Sequence, residues 1–523
     1  MSTEGTETEG KRGLVMLIVG IEPKAPGLHM FTQVYTPRAG LPRLLPRAQE
    51  LGHQCVIFCE ELRQSQLDWT LVSKADLILV SSTTSTAPRA YQLVAKAKRL
   101  NPRATILGGG PHFTFECQEA LESGIDFVFR HWADSSFFEW LEWYQSLEDT
   151  QVISGDDLRR LSEIGGLAFM TGNQVHKTAM PRQVDPDSWA TPDFRLVTGY
   201  KPRTLTMITS EGCDHKCEFC SEWTMHGGKY RVRSAERVLA DLVFYRRIYG
   251  RIPIFFGDDN LAADQKDSTG QVTVSGVDRL TQLCQMIIDH GLQGSYSGQV
   301  RLALADHPGV LALMSRAGFN RACIGYESIN PDNAQATGNK LEFARMGEQT
   351  AMFHKHGIAV HAMWIMGFDP DTLATIAETV KAAINWRIET NQFMVLVPIP
   401  GSPLRKRLER EGRIIHSAGW DKYDGHHVVF YPKLMKSWEL QAAVMLRAMP
   451  KVYNLGQTLG IYLSSNFRTL VRWINRRAPH PGIEFQSHTI TLVLRVVGRN
   501  MVRRVGKPAR DYFEELRRSP TNR

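Results

Sequence analysis

Thr209-Ser210-Glu211-Gly212-Cys213-Asp214-His215-Lys216-Cys217-Glu218-Phe219-Cys220 gathers three cysteines into eight positions of a chain with eight cysteines in 523 residues. The spacing C-x3-C-x2-C lets one loop turn three thiolates toward one metal centre, and soft thiolates suit iron–sulfur chemistry. A zinc site is the competing reading. It usually takes four ligands, and His215 or His226 would supply the fourth. The other cysteines, Cys55, Cys59, Cys117, Cys284 and Cys323, lie in or beside apolar segments and read as packed thiols.

The loop follows an apolar run at Thr204–Thr209, and similar runs recur at 252–256, 294–297, 321–324, 359–366 and 392–397. Helical segments separate them. Ser234 stands where a helix N-cap is needed, Val238, Leu242, Tyr245 and Tyr249 keep helical spacing, and Gly250 can end the helix. Gly291, Gly318 and Gly357 are placed as further stops. Six strand–helix units predict a partial (β/α)6 TIM-like barrel over residues 201–403, with its chemistry at the carboxyl ends of the strands. An earlier alternation, with strands at 14–19, 54–58, 77–80 and 105–107, predicts a Rossmann-like α/β domain over residues 13–145. Residues 1–12 read as a disordered leader, 146–200 as a linker holding Pro181, Pro186 and Pro192, and 404–523 as a helical, basic C-terminal region.

Three thiolates leave one iron of a [4Fe–4S] cluster without a protein ligand. S-adenosylmethionine can chelate that iron through its amino and carboxylate groups. One electron from the cluster then splits a carbon–sulfur bond and releases the 5′-deoxyadenosyl radical. The spacing, Phe219 before the last cysteine and the strand–loop–helix context resemble the radical S-adenosylmethionine superfamily. The stretch CEFCSEWTMHGGKYRV from Cys217 to Val232 is similar to the subgroup with an N-terminal cobalamin-binding domain, which includes anaerobic magnesium-protoporphyrin monomethyl ester cyclases and hopanoid C-methylases. Phe256-Gly257-Asp258-Asp259-Asn260, Ile324-Gly325-Tyr326-Glu327-Ser328 and Pro398-Ile399-Pro400-Gly401-Ser402-Pro403 extend the resemblance over roughly residues 13–435. Glu211 departs from it, since many relatives carry arginine there.

The resemblance implies roles for residues at the strand ends. Gly257, Asp258 and Asp259 would meet the amino group of S-adenosylmethionine, and Gln299 and Arg301 its carboxylate or ribose. Glu327 and Ser328 would contact ribose hydroxyls, and Gly367 would let adenine approach the backbone. Phe219 would border the same cofactor. Tyr423 or His426, in Trp420-Asp421-Lys422-Tyr423-Asp424-Gly425-His426-His427, could act as proton or hydrogen donor, or else close the barrel mouth. In the N-terminal domain Ser81 and Ser82 follow the third strand, and Gly108 and Gly109 begin a glycine run that permits close approach of a corrin or nucleotide tail. The D-x-H-x-x-G motif for an axial histidine is absent, and His29 has the wrong neighbours. Arg130-His131-Trp132-Ala133-Asp134 replaces the acidic glycine run of many relatives.

Bulk properties set the context. With 43% hydrophobic and 22% charged residues the chain has a globular composition. No apolar run approaches the ~18–20 residues of a membrane helix, and no secretory signal is visible, so a cytoplasmic protein with reduced cysteines is expected. The net charge of +8 owes much to Arg468, Arg472, Arg476, Arg477, Arg495, Arg499, Arg503, Arg504 and Lys507. These read either as a solvated helical face or as a peripheral contact with acidic lipid head groups. No aromatic-and-basic platform for nucleic acid is evident.

The expected activity is cobalamin-dependent radical C-methylation of an apolar small molecule such as a lipid or tetrapyrrole, with an external one-electron donor such as flavodoxin or ferredoxin. Oxidative cyclisation or rearrangement without methyl transfer is the alternative within the same chemistry. A metal-cluster regulator without turnover is the alternative outside it.

Overall fold

The computed structural model describes residues 15–25, 36–147, 154–338, 342–475 and 481–519. The leader, His29, Arg476 and Arg477 lie outside them.

The first sheet has seven strands in the order β2-β1-β3-β4-β5-β6-β7. They are β1 (Leu17–Glu22), β2 (Gln54–Cys59), β3 (Leu77–Ser81), β4 (Thr105–Gly109), β5 (Phe127–Phe129), β6 (Leu167–Thr171) and β7 (Gln174–Lys177). The first five are parallel, and β6 and β7 join antiparallel at the edge. The stretch expected as a linker therefore supplies two strands and a helix at Gly155–Glu163. Leu167, Ala168 and Phe169 are buried, so this stretch belongs to the sheet's core.

The second sheet has six parallel strands in an order that follows the chain. They are β8 (Leu205–Met207), β9 (Ile254–Phe256), β10 (Tyr296–Val300), β11 (Phe319–Glu327), β12 (Ala359–Met366) and β13 (Thr390–Val395). Between β8 and β9 a helix spans Ala235–Tyr249. Ser234 caps it by accepting the Arg237 N–H at 3.1 Å, and Gly250 ends it at φ +74°. Gly291, Gly318 and Gly357 also take positive φ at the ends of their helices, where a side chain would be strained.

One apolar core runs from one face of the first sheet, through Phe127, Trp140 and Phe169, into the barrel at Phe256, Tyr326 and Trp364. The other face of the first sheet has its own core around Val19, Ile78 and Phe113. Because the larger core is shared, the two sheets pack as neighbours rather than as beads on a tether.

The barrel floor, at the amino ends of its strands, is polar. Buried Glu389 accepts from the Val360 N–H at 2.8 Å and pairs with His354 at 3.0 Å and Arg468 at 2.7 Å. His354, Arg468 and these hydrogen bonds hold its carboxyl down at about 2, against the upward push of burial. Two C-terminal helices, α1 (Leu455–Ile474) and α2 (Pro481–Arg518), close this floor. Arg495 on α2 donates to the Glu389 carbonyl at 2.9 Å, and Arg321 donates to Thr491 at 2.6 Å. Among the described residues no helix is long and apolar enough to cross a membrane.

Candidate functional site

The three clustered cysteines sit on an excursion from the carboxyl end of β8. Ser210–Glu211 pairs antiparallel with Arg231–Val232, so residues 212–230 form a loop pinched at its base. Gly212 is required at the pinch: its φ is +82°, and a Cβ there would lie 2.2 Å from the Lys229 carbonyl oxygen. Cys217 is buried, while Cys213 and Cys220 are half-buried. The Cys217 Sγ lies 3.2 Å from the Thr337 carbonyl, and the Glu222 N–H donates to the Cys220 Sγ at 3.4 Å. The loop is pinned from outside as well. Glu218 pairs with Arg407, whose guanidinium also pairs with Asp369. The Leu404 N–H donates to the Glu218 carbonyl, and the Thr224 hydroxyl donates to the Gly401 carbonyl at 2.9 Å. The 398–403 turn is thus a bracket for the cysteine loop.

The other strand ends open beside it. Asp258, after β9, is buried; its Oδ1 accepts from the Thr209 N–H at 2.8 Å, the Thr209 hydroxyl at 3.1 Å and the Ser210 hydroxyl at 2.6 Å. Its Oδ2 is buried with no partner among the described residues. Asp259 is exposed by area yet densely surrounded, as a group lining a recess is. Desolvation and the charges of Glu222, Asp258 and Glu211 push its carboxyl well up. Desolvation, Glu222, Asp259 and Cys217 likewise push the Cys220 thiol up. This mouth crowds Asp259 against the carboxyl groups of Glu222, Asp258 and Glu211.

Several expected residues have protein partners. Arg301, after β10, pairs with Asp214 of the cysteine loop. Ser328 accepts from the Asn330 N–H and from the Asn333 amide at 2.9 Å, so its hydroxyl is held in a turn. Glu327 is buried at φ +54°, a left-handed conformation uncommon for a side chain of its size. Gly367 has φ +107°, and a Cβ would meet Leu440 at 2.6 Å, so this glycine makes room for a C-terminal leucine. Gly257 is closed in by Ile208 and Thr206. Gln299 is half-buried at the end of β10, and Phe219 stacks edge-on against Phe368 at 5.9 Å. Among the described residues no three Cys, His, Asp or Glu side chains are close enough to hold a metal ion as they stand.

The first sheet presents its own strand ends to this side. Ser82 is buried and bonded to Thr86 at 2.9 Å; Gly108 packs on Ile125 and Phe113, while Gly109 has open space where a side chain would be. Ser81 is half-buried at the end of β3, against Gly110. After the glycine run, buried His112 bonds Tyr91 at 3.0 Å and meets Trp420 edge-on at 5.1 Å. Trp420 donates to Glu119 at 3.0 Å and packs on Tyr423, whose hydroxyl accepts from Arg405 at 3.2 Å. Burial raises the Tyr423 phenol, so it stays protonated at neutral pH. His426 is buried, its N–H donating to Asp424 at 2.8 Å and its carbonyl accepting from Gln441. Across the joint, Arg43 pairs with Asp134 and with Glu211 at 2.7 Å each, and Arg231 pairs with Glu211 at 2.6 Å. Sequence reading missed this joint. Its signals were the unusual glutamate at 211 and the departure that ends in Asp134.

Residues 52–140 match the B12 binding domain family, and residues 207–383 match the Radical SAM superfamily. The chain carries a B12-binding domain followed by a radical S-adenosylmethionine domain. It is 25% identical to the bacteriochlorophyllide d C-12(1)-methyltransferase of Chlorobaculum tepidum, over 68% of this chain and 70% of that protein. It is 23% identical to an anaerobic magnesium-protoporphyrin IX monomethyl ester cyclase of Cereibacter sphaeroides, over 74% and 60% of the two chains. In fold it resembles the cobalamin-dependent S-adenosylmethionine radical enzyme OxsB with aqua-cobalamin bound, at TM-score 0.63 and 11% identity, over 96% of this chain and 84% of that one. For a radical S-adenosylmethionine enzyme the mouth described above has a suitable donor set. Three thiols stand on one pinned loop, and the unpartnered Asp258 oxygen and the carboxyl excess at Asp259 suit a cationic ammonium.

Proposed function

We propose that this chain is a cobalamin-dependent radical S-adenosylmethionine C-methyltransferase acting on an apolar small molecule, a lipid or a tetrapyrrole. When bound, the cluster and S-adenosylmethionine supply a carbon radical that removes hydrogen, and cobalamin supplies the methyl group.

The chain's own residues bind, orient and exclude water. Cys213, Cys217 and Cys220 hold the cluster, and Glu218 and Gly401 keep their loop still. Asp258 and Asp259 take the ammonium of S-adenosylmethionine. Arg301, balanced against Asp214, stands beside its carboxylate with Gln299, while Glu327, Ser328 and Phe219 shape the nucleoside side. Ser81, Ser82, Gly108 and Gly109 border the corrin side, where open space at Gly109 supports close approach. Tyr423 and His426 close the mouth, and Tyr423 keeps a proton available at Oη. A one-electron donor such as flavodoxin or ferredoxin serves the cluster, and the enzyme works at the periphery of a membrane.

The observation that carries this reading is the joint itself: Arg43 of the B12-binding unit grips Glu211 two residues before the first cluster cysteine. A methyl donor and a hydrogen-abstracting centre must face one substrate, and a rigid joint holds them so. The tetrapyrrole substrates named for the two relatives support a large apolar substrate. Oxidative cyclisation is the second reading, favoured by the likeness to the cyclase. Anaerobic reconstitution with iron, sulfide and cobalamin, followed by product analysis, separates the two. Both 5′-deoxyadenosine and S-adenosylhomocysteine are expected; deoxyadenosine alone would leave cyclisation or rearrangement.

A further inference from the structure

Helix α1 is turned inside out. Its buried side carries Thr458, Ser465 and Thr469, with Ile461 the only large apolar residue among them. Its outward side carries Leu455, Leu459, Leu463, Phe467, Leu470, Val471, Trp473 and Ile474, with Leu463 65%, Phe467 66% and Ile474 68% exposed. A surface helix ordinarily puts the apolar stripe inward. The reason for the inversion is the polar floor beneath it. Ser465 and Arg468 reach Glu389, and Thr469 reaches Glu484 and His488 of α2. Satisfying those buried groups leaves a stripe about 30 Å long facing outward, by the rise of a 20-residue helix. A contiguous apolar surface of this kind marks an interaction site.

The neighbouring surface says what covers it. Helix α2 runs back antiparallel: Glu484 and His488 meet the carboxyl end of α1, and Gly498 packs on Tyr453 just ahead of its start. On the outer side of α2, exposed Val493 and Val496 lead into Arg503, Arg504, Lys507 and Arg510, all exposed and none in an ion pair among the described residues. Acidic groups return at Asp511, Glu514 and Glu515. An apolar stripe continued by unpaired cations fits an anionic lipid surface, where the stripe enters the acyl boundary and the cations meet head groups. A second copy of the chain would set like charges against one another.

We propose that α1 and the outer face of α2 form an in-plane docking surface for anionic lipid bilayers. The proposal rests on the membrane-peripheral placement above and gives it an address; it does not depend on the reaction catalysed. The α1 stripe lies at the barrel floor, at the opposite ends of the strands from the cysteine loop, and α2 carries the cations from there toward Tyr512, which packs on His427 and Val428.

The test is flotation of the reconstituted full-length protein with phosphatidylcholine vesicles and with vesicles that also contain phosphatidylglycerol. Wild-type protein is expected to float with the anionic vesicles. Leu463→Glu/Phe467→Glu and, separately, Arg503→Glu/Lys507→Glu are expected to weaken that binding by about tenfold or more. These side chains are exposed, so thermal melting and deoxyadenosine formation should match wild type. Absence of wild-type binding overturns the proposal, as does equal binding to uncharged vesicles or binding undiminished in the variants. A dimer in sedimentation that Leu463→Glu/Phe467→Glu dissociates would also overturn it, because the stripe would then be covered by a second copy. Deoxyadenosine formation is read without vesicles, so failure of the chemistry and failure of docking are told apart.

Discussion

His112 shows how one side chain ties the glycine run of the B12-binding unit to the segment beyond the barrel. Its ring is buried between Tyr91 and Trp420, and desolvation, with Arg405 nearby, drives its pKa down to about 3. In the unfolded chain it titrates near 6.5, so folding is unpenalised above that pH. As pH falls below it the unfolded state takes up a proton that the folded state refuses, and stability is lost until about pH 3. At pH 5 the loss is about 2 kcal/mol. His112→Gln is therefore expected to remove about that much of the difference in urea stability between pH 7.5 and pH 5, in paired denaturation curves. An unchanged difference would show that the ring titrates freely.

At the scale of elements, the turn after β13 does two jobs. It brackets the cysteine loop through Thr224 and Glu218, and it receives the ring of Phe115 from the first sheet. A Cβ at Gly401 would fall 2.4 Å from that ring, at φ +83°. Gly401→Ala should cost about 1–3 kcal/mol in thermal unfolding. Phe115→Ala in the same chain should recover the steric part of that loss. Additive losses in the double variant would mean that the two residues do not meet. The inversion of α1 belongs to this scale as well: a helix takes its orientation from whichever face has the costlier groups to satisfy, here the buried Glu389 carboxylate and its partners.

Across the whole molecule, Arg43, Asp134, Glu211 and Arg231 form the charged joint between the two sheets, with Trp189 stacked under Arg43 at 5.0 Å and Arg231 at 5.4 Å. All four charged groups are nearly removed from water, so breaking one pair strands its partner. Glu211→Gln is expected to lower stability by about 3–5 kcal/mol in urea denaturation. It should also loosen the cysteine loop, seen as faster loss of iron to a chelator after reconstitution. Wild-type iron retention with reduced stability would confine Glu211 to folding alone.

Short-range patterns were enough to place the barrel strands, four strands of the first sheet and the cysteine loop. Alternating apolar runs, helix caps such as Ser234 and the C-x3-C-x2-C spacing are written in neighbouring residues, and local physics reads them directly. The strands at 127–129 and 167–177 escaped because they stand outside the regular strand–helix rhythm, and Leu167–Thr171 joins the sheet antiparallel along the edge that β5 offers. Gly367 likewise looked like a place for a ligand, and only the fold shows Leu440 filling that space. The Arg43–Glu211 pair, separated by well over a hundred residues, and the outward apolar face of α1 were decided by tertiary structure. Charge pairing and burial depend on which surfaces meet, and no local pattern carries that information.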